Sequence, residues 1–231
     1  MARELPIFPL PIVLFPGAHQ PLHIFESRYR QLLQDCLAAD RRFGISYVAP
    51  ERAAGADAAP GLGDVGCVAL IRTAEPLPDG RCNILTVGER RYMLRRWISR
   101  APRPPYRVAE VEEFDDDPID GAEAGTLAAD VRAGFARLAQ ALGMLTESGG
   151  GNSEALASDP ALLSFQVAAA LELDAESKRA LQALRSTSMR LRRLAQALGP
   201  LAADAERRAG VRQRARGNGR GGRHAQIEPA T

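Results

Sequence analysis

The sequence predicts an α+β protein in which a small antiparallel β-barrel with one packed helix precedes a bundle of helices. Short apolar runs separated by proline and glycine fill residues 5–111. Alanine-rich segments with apolar residues every three or four positions fill residues 122–203. An acidic run at 112–118 separates these two patterns. The change from strand-like to helix-like periodicity is the basis of the predicted fold class.

Prolines interrupt the first apolar runs, at residues 5–10, 12–15 and 22–25. Proline lacks an N–H group and fits strands only at edges or bulges, so these runs predict short strands rather than one long helix. From Tyr29 onward the apolar residues follow the spacing of one helical face, as far as about Ala39. The chain is therefore expected to form two or three short strands and then to pack a helix against them.

The next part of the chain is dense in β-branched and apolar residues. Residues 50–63 are rich in proline, glycine and alanine, which predicts a loop. Asp79-Gly80 suits a hairpin turn, and Gly88-Glu89 is read as a second tight connection. Short antiparallel strands at this spacing favour a barrel or sandwich. The predicted strands are residues 43–48, 65–73, 83–87, 91–98 and 106–111.

Beyond the acidic run, which is interpreted as a linker, the pattern becomes helical. Asp159, Asp174 and Ser186 are predicted helix N-caps, and Pro160 suits the first turn of a helix. Residues 147–153 predict a flexible break, and Gly199-Pro200 predicts a helix stop, after which residues 201–209 allow one or two further helical turns. The chain is thus divided into a barrel domain over 1–117, a helical bundle over 118–203 and a tail over 204–231.

Positive charge is concentrated in the tail. Of a net charge of +2, residues 204–231 carry seven arginines against three acidic residues, so residues 1–203 are slightly acidic. The Arg/Gly-rich tail lacks large apolar residues between Val211 and Ile227 and is predicted to be disordered. Such a tail can contact nucleic acid through phosphate groups.

Composition argues against a membrane protein and a disulfide framework. No apolar run approaches the roughly 18 residues that a membrane span needs. The first residues lack the apolar stretch of a secretory signal, which predicts a cytoplasmic location. Cys36, Cys67 and Cys82 are odd in number and lack metal-ligand spacing, so buried free thiols are expected.

No catalytic, cofactor or metal site is predicted. The single lysine, Lys178, has no glycine-rich loop before it, which excludes a P-loop. Its neighbour Ser177 does not face it on a helix, so a Ser–Lys dyad is not expected. His19 and His23 are four residues apart, but Pro21 prevents a helix from bringing them to one face. The chain is therefore predicted not to be an enzyme.

Two groups of polar residues leave alternatives open. Glu26, Ser27, Arg28 and Tyr29 open the first helix, where a carboxylate favours the helix dipole, or they form a recognition patch beside Phe25. A second group forms either a solvated strand face or a basic patch for nucleic acid. Its members are Arg90, Arg91, Arg95 and Arg96.

The motifs L-P-I-F-P-L, V-L-F-P-G and L-H-I-F-E-S-R-Y-R at the start of the chain resemble the Lon protease N-terminal (substrate-binding) domain family. The likeness continues through F-G-I, V-G-C-V-A-L-I, D-G-R, V-G-E-R-R-Y and P-Y-R-V-A-E-V. It covers residues 5–114 well and extends in layout to about 200, with R-L-R-R-L-A-Q-A-L near its end. The resemblance implies a PUA-like β-barrel followed by a helical bundle.

The resemblance also implies a function. Because no ATPase or Ser–Lys protease module follows, the chain is expected to be a stand-alone, non-catalytic module that binds polypeptide: an unfolded segment, a protease or a chaperone. The family's role would place Glu26, Ser27, Arg28 and Tyr29 near the bound chain, with Ser27 where relatives often have proline. The alternative is an RNA-binding or other nucleic-acid-binding PUA-like protein that uses its Arg/Gly tail.

Overall fold

A computed structural model describes residues 2–53, 59–99, 101–119, 121–145 and 156–218. Within these residues the chain forms six strands and six helices. The strands are β1 Ala2–Leu10, β2 His19–Ile24, β3 Arg42–Tyr47, β4 Val65–Pro76, β5 Cys82–Ile98 and β6 Arg107–Glu113. The helices are α1 Ser27–Ala38, α2 Pro50–Ala53, α3 Gly121–Leu145, α4 Pro160–Ala170, α5 Ala175–Gln182 and α6 Thr187–Asn218.

All six strands belong to one sheet in the order β2-β5-β4-β3-β1-β6. Strand β5 also pairs with β6, so the sheet curls back on itself. The α+β class is confirmed, but the expected purely antiparallel barrel is wrong, because β1 and β3 pair in parallel and the sheet is mixed. The chain passes through β2 and α1 between these two strands, which allows β3 to run in the direction of β1.

Two local predictions about the strands are also corrected. Residues 12–15 are not a strand, although Leu14 and Phe15 are buried as their apolar character suggests. Gly88-Glu89 does not form a turn, because β5 is one continuous strand through this point. The first half of β5 pairs with β2 and its second half pairs with β6. This long strand therefore connects the two ends of the sheet.

Helix α1 covers one side of the sheet with the predicted face. Tyr29, Leu32, Leu33 and Cys36 are buried. They pack in one cluster with apolar side chains of the strands, among them Phe8, Phe43, Ile45, Ile71 and Ile84. The helical period read from the sequence thus identifies the buried face of α1, except at its end, where Leu37 is 39% exposed.

The three predicted helix caps are confirmed. The carboxylate of Asp159 accepts a hydrogen bond from Leu162 N at 2.7 Å. Asp174 accepts one from Ser177 N at 2.9 Å. The Ser186 hydroxyl accepts one from Met189 N at 3.2 Å. Each oxygen satisfies a backbone donor that lacks a partner inside the helix.

Helices α3 and α6 pack side by side in parallel. Arg192 pairs with Glu123 near their beginnings, and Arg137 pairs with Glu206 further along, each pair 69 residues apart. Between these ion pairs, Gly134 lies against Leu198. The equal separation of the two ion pairs, about four turns apart, shows that the two helices run in the same direction.

The helix stop predicted at Gly199-Pro200 is wrong. Pro200 lies inside α6, which continues to Asn218, so residues 204–218 are helical where a disordered tail is predicted. The buried residues Ala202 and Ala205 extend the cluster that α6 forms with α3, and Ala209 is buried one turn further on. This packing outweighs the hydrogen bond lost at proline. The rest of the tail, residues 219–231, and the predicted break at 147–153 lie outside the described residues.

The acidic segment between sheet and bundle is more than a linker. Asp117 N donates to Arg185 O at 3.0 Å, and Arg185 Nε donates to Asp115 O at 3.0 Å. The neighbouring carboxylate of Asp116 accepts hydrogen bonds from both Arg91 and Arg190. Because Arg91 belongs to β5 and Arg190 to α6, this segment fastens the sheet to the bundle.

Candidate functional site

The four predicted site residues lie at the start of α1, but they differ in exposure. Ser27 is exposed, and Glu26 and Arg28 are half-buried. Tyr29 is only 5% exposed, and its ring lies 4.0 Å from that of Phe8, between ring centroids. Tyr29 is therefore a core residue that offers at most one edge to a ligand.

Glu26 and Arg28 neutralise each other at the surface. Arg28 Nε donates to Glu26 Oε2 at 2.9 Å, and the guanidinium lies 4.6 Å from the centroid of the Tyr29 ring. The Glu26 side chain makes no capping bond to α1. Burial raises the pKa of Tyr29, so its hydroxyl stays neutral at physiological pH. This corner of the domain thus presents an ion pair beside an apolar wall.

The ion pair borders a cavity of about 210 Å³ between the end of β1, the end of β2 and the start of α1. We call this cavity the β1–α1 groove. Phe25 stands in it and is 61% exposed, although a phenylalanine normally prefers burial. The other apolar lining residues include Phe8, Leu10, Leu22, Ile24 and Tyr29.

Phe25 is a functional candidate that the sequence analysis named only as a neighbour of the polar patch. Its ring stacks on His23 with centroids 6.1 Å apart, and His23 Nδ1 lies 2.7 Å from Asn83 Oδ1. The aromatic side chain is thus held against the strand but left open to solvent. The signal in the sequence was a phenylalanine between the end of a strand and the first turn of a helix.

A larger cavity of about 640 Å³ lies between the sheet and the bundle. We call it the sheet–bundle cleft. One wall is the turn that leads into β2. The other wall is formed by residues of α3 and α4 and by Leu156. The lining is mainly apolar and includes Gly17, Ala18, His19, Phe135, Ala139 and Ala169.

The arginines of β5 do not form an open basic patch, because each pairs with a carboxylate. Arg95 Nε donates to Glu112 at 2.6 Å, and Arg96 Nη2 donates to Glu110 at 2.7 Å. In the same way Arg90 pairs with Glu113 and Arg91 with Asp116. The positive charge on this part of the sheet is therefore balanced by carboxylates. The run of arginines in the sequence thus no longer argues for a nucleic-acid site on the sheet.

The described residues hold no group of three His, Cys, Asp or Glu side chains that could bind a metal ion. Lys178 Nζ donates to Ala169 O at 3.3 Å, whereas the Ser177 hydroxyl donates to Asp174. Burial lowers the pKa of Lys178. The lysine and the serine therefore have separate structural partners and do not form a dyad.

All three cysteines are buried and unpaired with one another. Burial raises the pKa of the Cys36 thiol to about 12 and also raises the pKa of Cys67 and Cys82. Because the thiolate is the reactive form, we expect native protein at pH 7 to resist iodoacetamide. Mass spectrometry should find three modified cysteines only after denaturation. Rapid labelling of Cys36 in folded protein would contradict its burial.

A family model for the substrate-binding domain of the ATP-dependent protease La (LON) matches residues 4–199. The chain belongs to this family. The matched range runs from β1 into α6, so it includes the sheet, both cavities and most of the helical half. The family assignment thus covers the part of the chain in which all the candidate site residues lie.

The LON substrate-binding domain is similar in sequence to part of several Lon proteases. It is 35% identical to Lon protease of Roseiflexus castenholzii over 106 residues, which are 46% of this chain and 13% of the relative. It is 30% identical to Lon protease 1 of Syntrophobacter fumaroxidans over 135 residues, which are 57% of this chain and 16% of the relative. The match thus spans only a small part of these relatives.

Solved structures show the same fold. The Lon N-terminal domain protein of Xanthomonas campestris is 25% identical, with a TM-score of 0.59, and the match covers 83% of this chain and 96% of that one. The N-terminal domain of a Mycobacterium avium complex Lon protease is 20% identical, with a TM-score of 0.64, and the match covers 87% and 99%. None of the described helices is long and apolar enough to cross a membrane.

Proposed function

We propose that this LON substrate-binding domain is a non-catalytic module that binds polypeptide through the β1–α1 groove. The observation that carries the proposal is the 61% exposed ring of Phe25 at an apolar cavity. An exposed aromatic residue beside a groove is typical of a surface that anchors apolar side chains of a partner. The family name supports a binding role for this fold.

The groove suits an unfolded segment better than a folded surface. Its volume of about 210 Å³ accommodates one or two apolar side chains rather than a globular protein. Glu26 and Arg28 lie at its rim as a neutral ion pair, so they add polar contacts without selecting strongly for charge. We propose that Glu26, Ser27 and Arg28 contact the backbone of the bound chain, and that Tyr29 supports the wall.

The proposed partners are unfolded segments or a protease or chaperone that presents them. We place the module in the cytoplasm, because its three buried cysteines are unpaired, as is usual in a reducing compartment. We propose no catalytic role, since no residue set in the described structure resembles a nucleophile with its base. ATPase and peptidase assays on pure protein are expected to give background rates.

Replacing Phe25 by serine is expected to weaken binding of an unfolded, apolar model polypeptide about tenfold or more. The reason is the loss of the apolar contact of one large side chain with the ligand. Fluorescence anisotropy with labelled, reduced and carboxymethylated α-lactalbumin provides the measurement. Because Phe25 is already exposed in the free domain, thermal unfolding should change little.

Leu62→Ser is the matched control, since Leu62 is 63% exposed and lies in a turn away from the groove. Its affinity for the same polypeptide should equal that of the unaltered protein. If both substitutions weakened polypeptide binding equally, the binding would be non-specific hydrophobic association and not binding at the groove. If the unaltered protein did not bind the polypeptide, the proposed function itself would be contradicted.

Nucleic acid is the second candidate, and the end of α6 favours it. Beyond Pro200 the helix carries Arg207, Arg208, Arg212 and Arg214, and further arginines follow in the sequence. We propose that any RNA affinity resides in residues 204–231 and not in the sheet. Replacing Arg212 and Arg214 by glutamine should then weaken RNA binding and flatten its salt dependence. Replacing Arg95 and Arg96 by glutamine should leave both unchanged.

A further inference from the structure

Strand β2 connects the two cavities. It is the terminal strand of the sheet and pairs with β5 alone among the described strands. His19 at its beginning lines the sheet–bundle cleft, and Leu22 to Phe25 at its end line the β1–α1 groove. One open strand edge therefore runs from one apolar cavity to the other.

The hydrogen-bonding phase of β2 identifies which backbone groups point outward. The carbonyl of Gln20 accepts a hydrogen bond from Thr86 Oγ1 of β5 at 2.9 Å, so Gln20 is turned towards the sheet. Residues alternate along a strand, so the backbone of Pro21 and His23 is turned away from β5. The Pro21 carbonyl now accepts from the side chain of Gln20 at 2.9 Å, a surface contact that another donor can replace.

The chemistry of this edge selects a neutral, extended ligand. The sequence of β2, H-Q-P-L-H-I, contains no Asp, Glu, Lys or Arg. Both cavities at its ends are lined mainly by apolar side chains, and the Glu26 carboxylate at the groove already pairs with Arg28. An apolar side chain of the ligand therefore fits both cavities better than a charged one. Pro21 removes one N–H donor from this edge, so a strand added there would pair through the Pro21 carbonyl and the backbone of His23.

We propose that an extended, apolar polypeptide adds to β2 as a further strand and places one large side chain in each cavity. Among the residues of β2 and the turn before it, those that line the cleft have their midpoint at Ala18. Those that line the groove have their midpoint between His23 and Ile24. At about 3.3 Å per strand residue, the two anchors of the ligand lie about six residues, or 20 Å, apart. This inference rests on the proposed function and gives it a register and a spacing.

A peptide series tests the spacing. Each peptide has fourteen residues of Ser, Thr and Gln, blocked ends and two phenylalanines at i and i+2, i+4, i+6 or i+8. We expect calorimetry to show the tightest binding for the i+6 peptide, at least tenfold tighter than for the i+2 peptide. Two phenylalanines at i and i+6 can fill both cavities at once, whereas two at i and i+2 can fill only one. Similar affinity for all four peptides would overturn the proposal.

N-methylation of single peptide bonds tests strand addition. A strand paired along one edge uses alternate N–H groups, so N-methyl groups on the i+6 peptide should weaken binding with a period of two residues. Weakening of about tenfold is expected at the bonded positions and little change at the others. An aperiodic response would show that the peptide binds without forming a strand.

The cleft is tested separately by Ala139→Asp, since Ala139 is an exposed residue of its α3 wall. Ala133→Asp, on an exposed position of the same helix that does not line the cleft, is the matched control. Only Ala139→Asp should reduce the i+6 affinity to that of a peptide with one phenylalanine. If Phe25→Ser abolishes binding while Ala139→Asp has no effect, the groove function stands and the two-anchor inference fails. If none of the peptides or unfolded proteins binds, both fail.

Discussion

Asp116→Asn is expected to lower the free energy of unfolding by about 3–5 kcal/mol, because it removes the only carboxylate between two buried arginines in the described structure. The side chain of Arg91 is 2% exposed and that of Arg190 is 0% exposed. Urea denaturation followed by circular dichroism measures the effect. An asparagine has nearly the same shape, so a large loss reflects charge rather than packing.

The surroundings of the two arginines show why the carboxylate is needed. Arg91 Nη1 donates to Gln182 O at 2.6 Å, and Arg190 Nε donates to Ser164 Oγ at 2.8 Å. Both guanidinium groups lie over the Phe165 ring, at 5.1 and 4.0 Å from its centroid. Burial lowers the pKa of Arg91, Asp116 opposes this and the nearby Arg190 adds to it, which leaves the pKa at about 10. Arg91 therefore stays charged at pH 7.

Asp117→Asn provides the control within the same segment. Asp117 forms an ion pair with Arg185 at 3.2 Å, but both side chains are more than half exposed. Solvent screens such a pair, so its loss should cost less than about 1 kcal/mol. Equal effects of the two substitutions would show that Asp116 does not compensate the buried arginines.

Local signals in the sequence predicted much of this fold. The buried face of α1, the N-caps at Asp159, Asp174 and Ser186, and the approximate position of most strands depend on neighbours within a few residues. The parallel pairing of β1 with β3 depends on which distant strands meet, and periodicity carries no information about that. The continuation of α6 through Pro200 likewise depends on distant contacts with α3.

The β1–α1 groove lies beside the segment that the sequence singled out, but its most exposed apolar residue is a different one. The sequence directed attention to Glu26, Ser27, Arg28 and Tyr29, whereas the structure buries Tyr29 and leaves Phe25 exposed. Exposure of an apolar residue at a strand–helix junction depends on what the rest of the chain leaves uncovered. The four arginines of β5 show the same limit, because their acidic partners come from β6 and from the segment after it.

Gly88→Ala is expected to destabilise the domain by about 3 kcal/mol, although the change adds one methyl group. A Cβ at this position would lie 2.1 Å from the carbonyl oxygen of Phe15 and 3.1 Å from Cys67 Sγ. The backbone must then move, which disturbs the bonds from Gly88 N to Ala18 O at 2.9 Å and from Gly17 N to Gly88 O at 2.8 Å. Thermal and urea unfolding measure the loss.

Alanine in place of Gly143 should change the free energy of unfolding in the opposite direction. Gly143 lies in α3, and among the described residues no heavy atom beyond its own helical turn lies within 4 Å of an added Cβ. Alanine favours a helix over glycine by about 1 kcal/mol. Gly143→Ala should therefore stabilise the protein slightly, while Gly88→Ala weakens it. Because the turn held by Gly88 leads into β2, Gly88→Ala should also loosen the wall of the sheet–bundle cleft and reduce binding of the i+6 peptide. Unchanged stability of Gly88→Ala would contradict the close approach of the Phe15 backbone to β5.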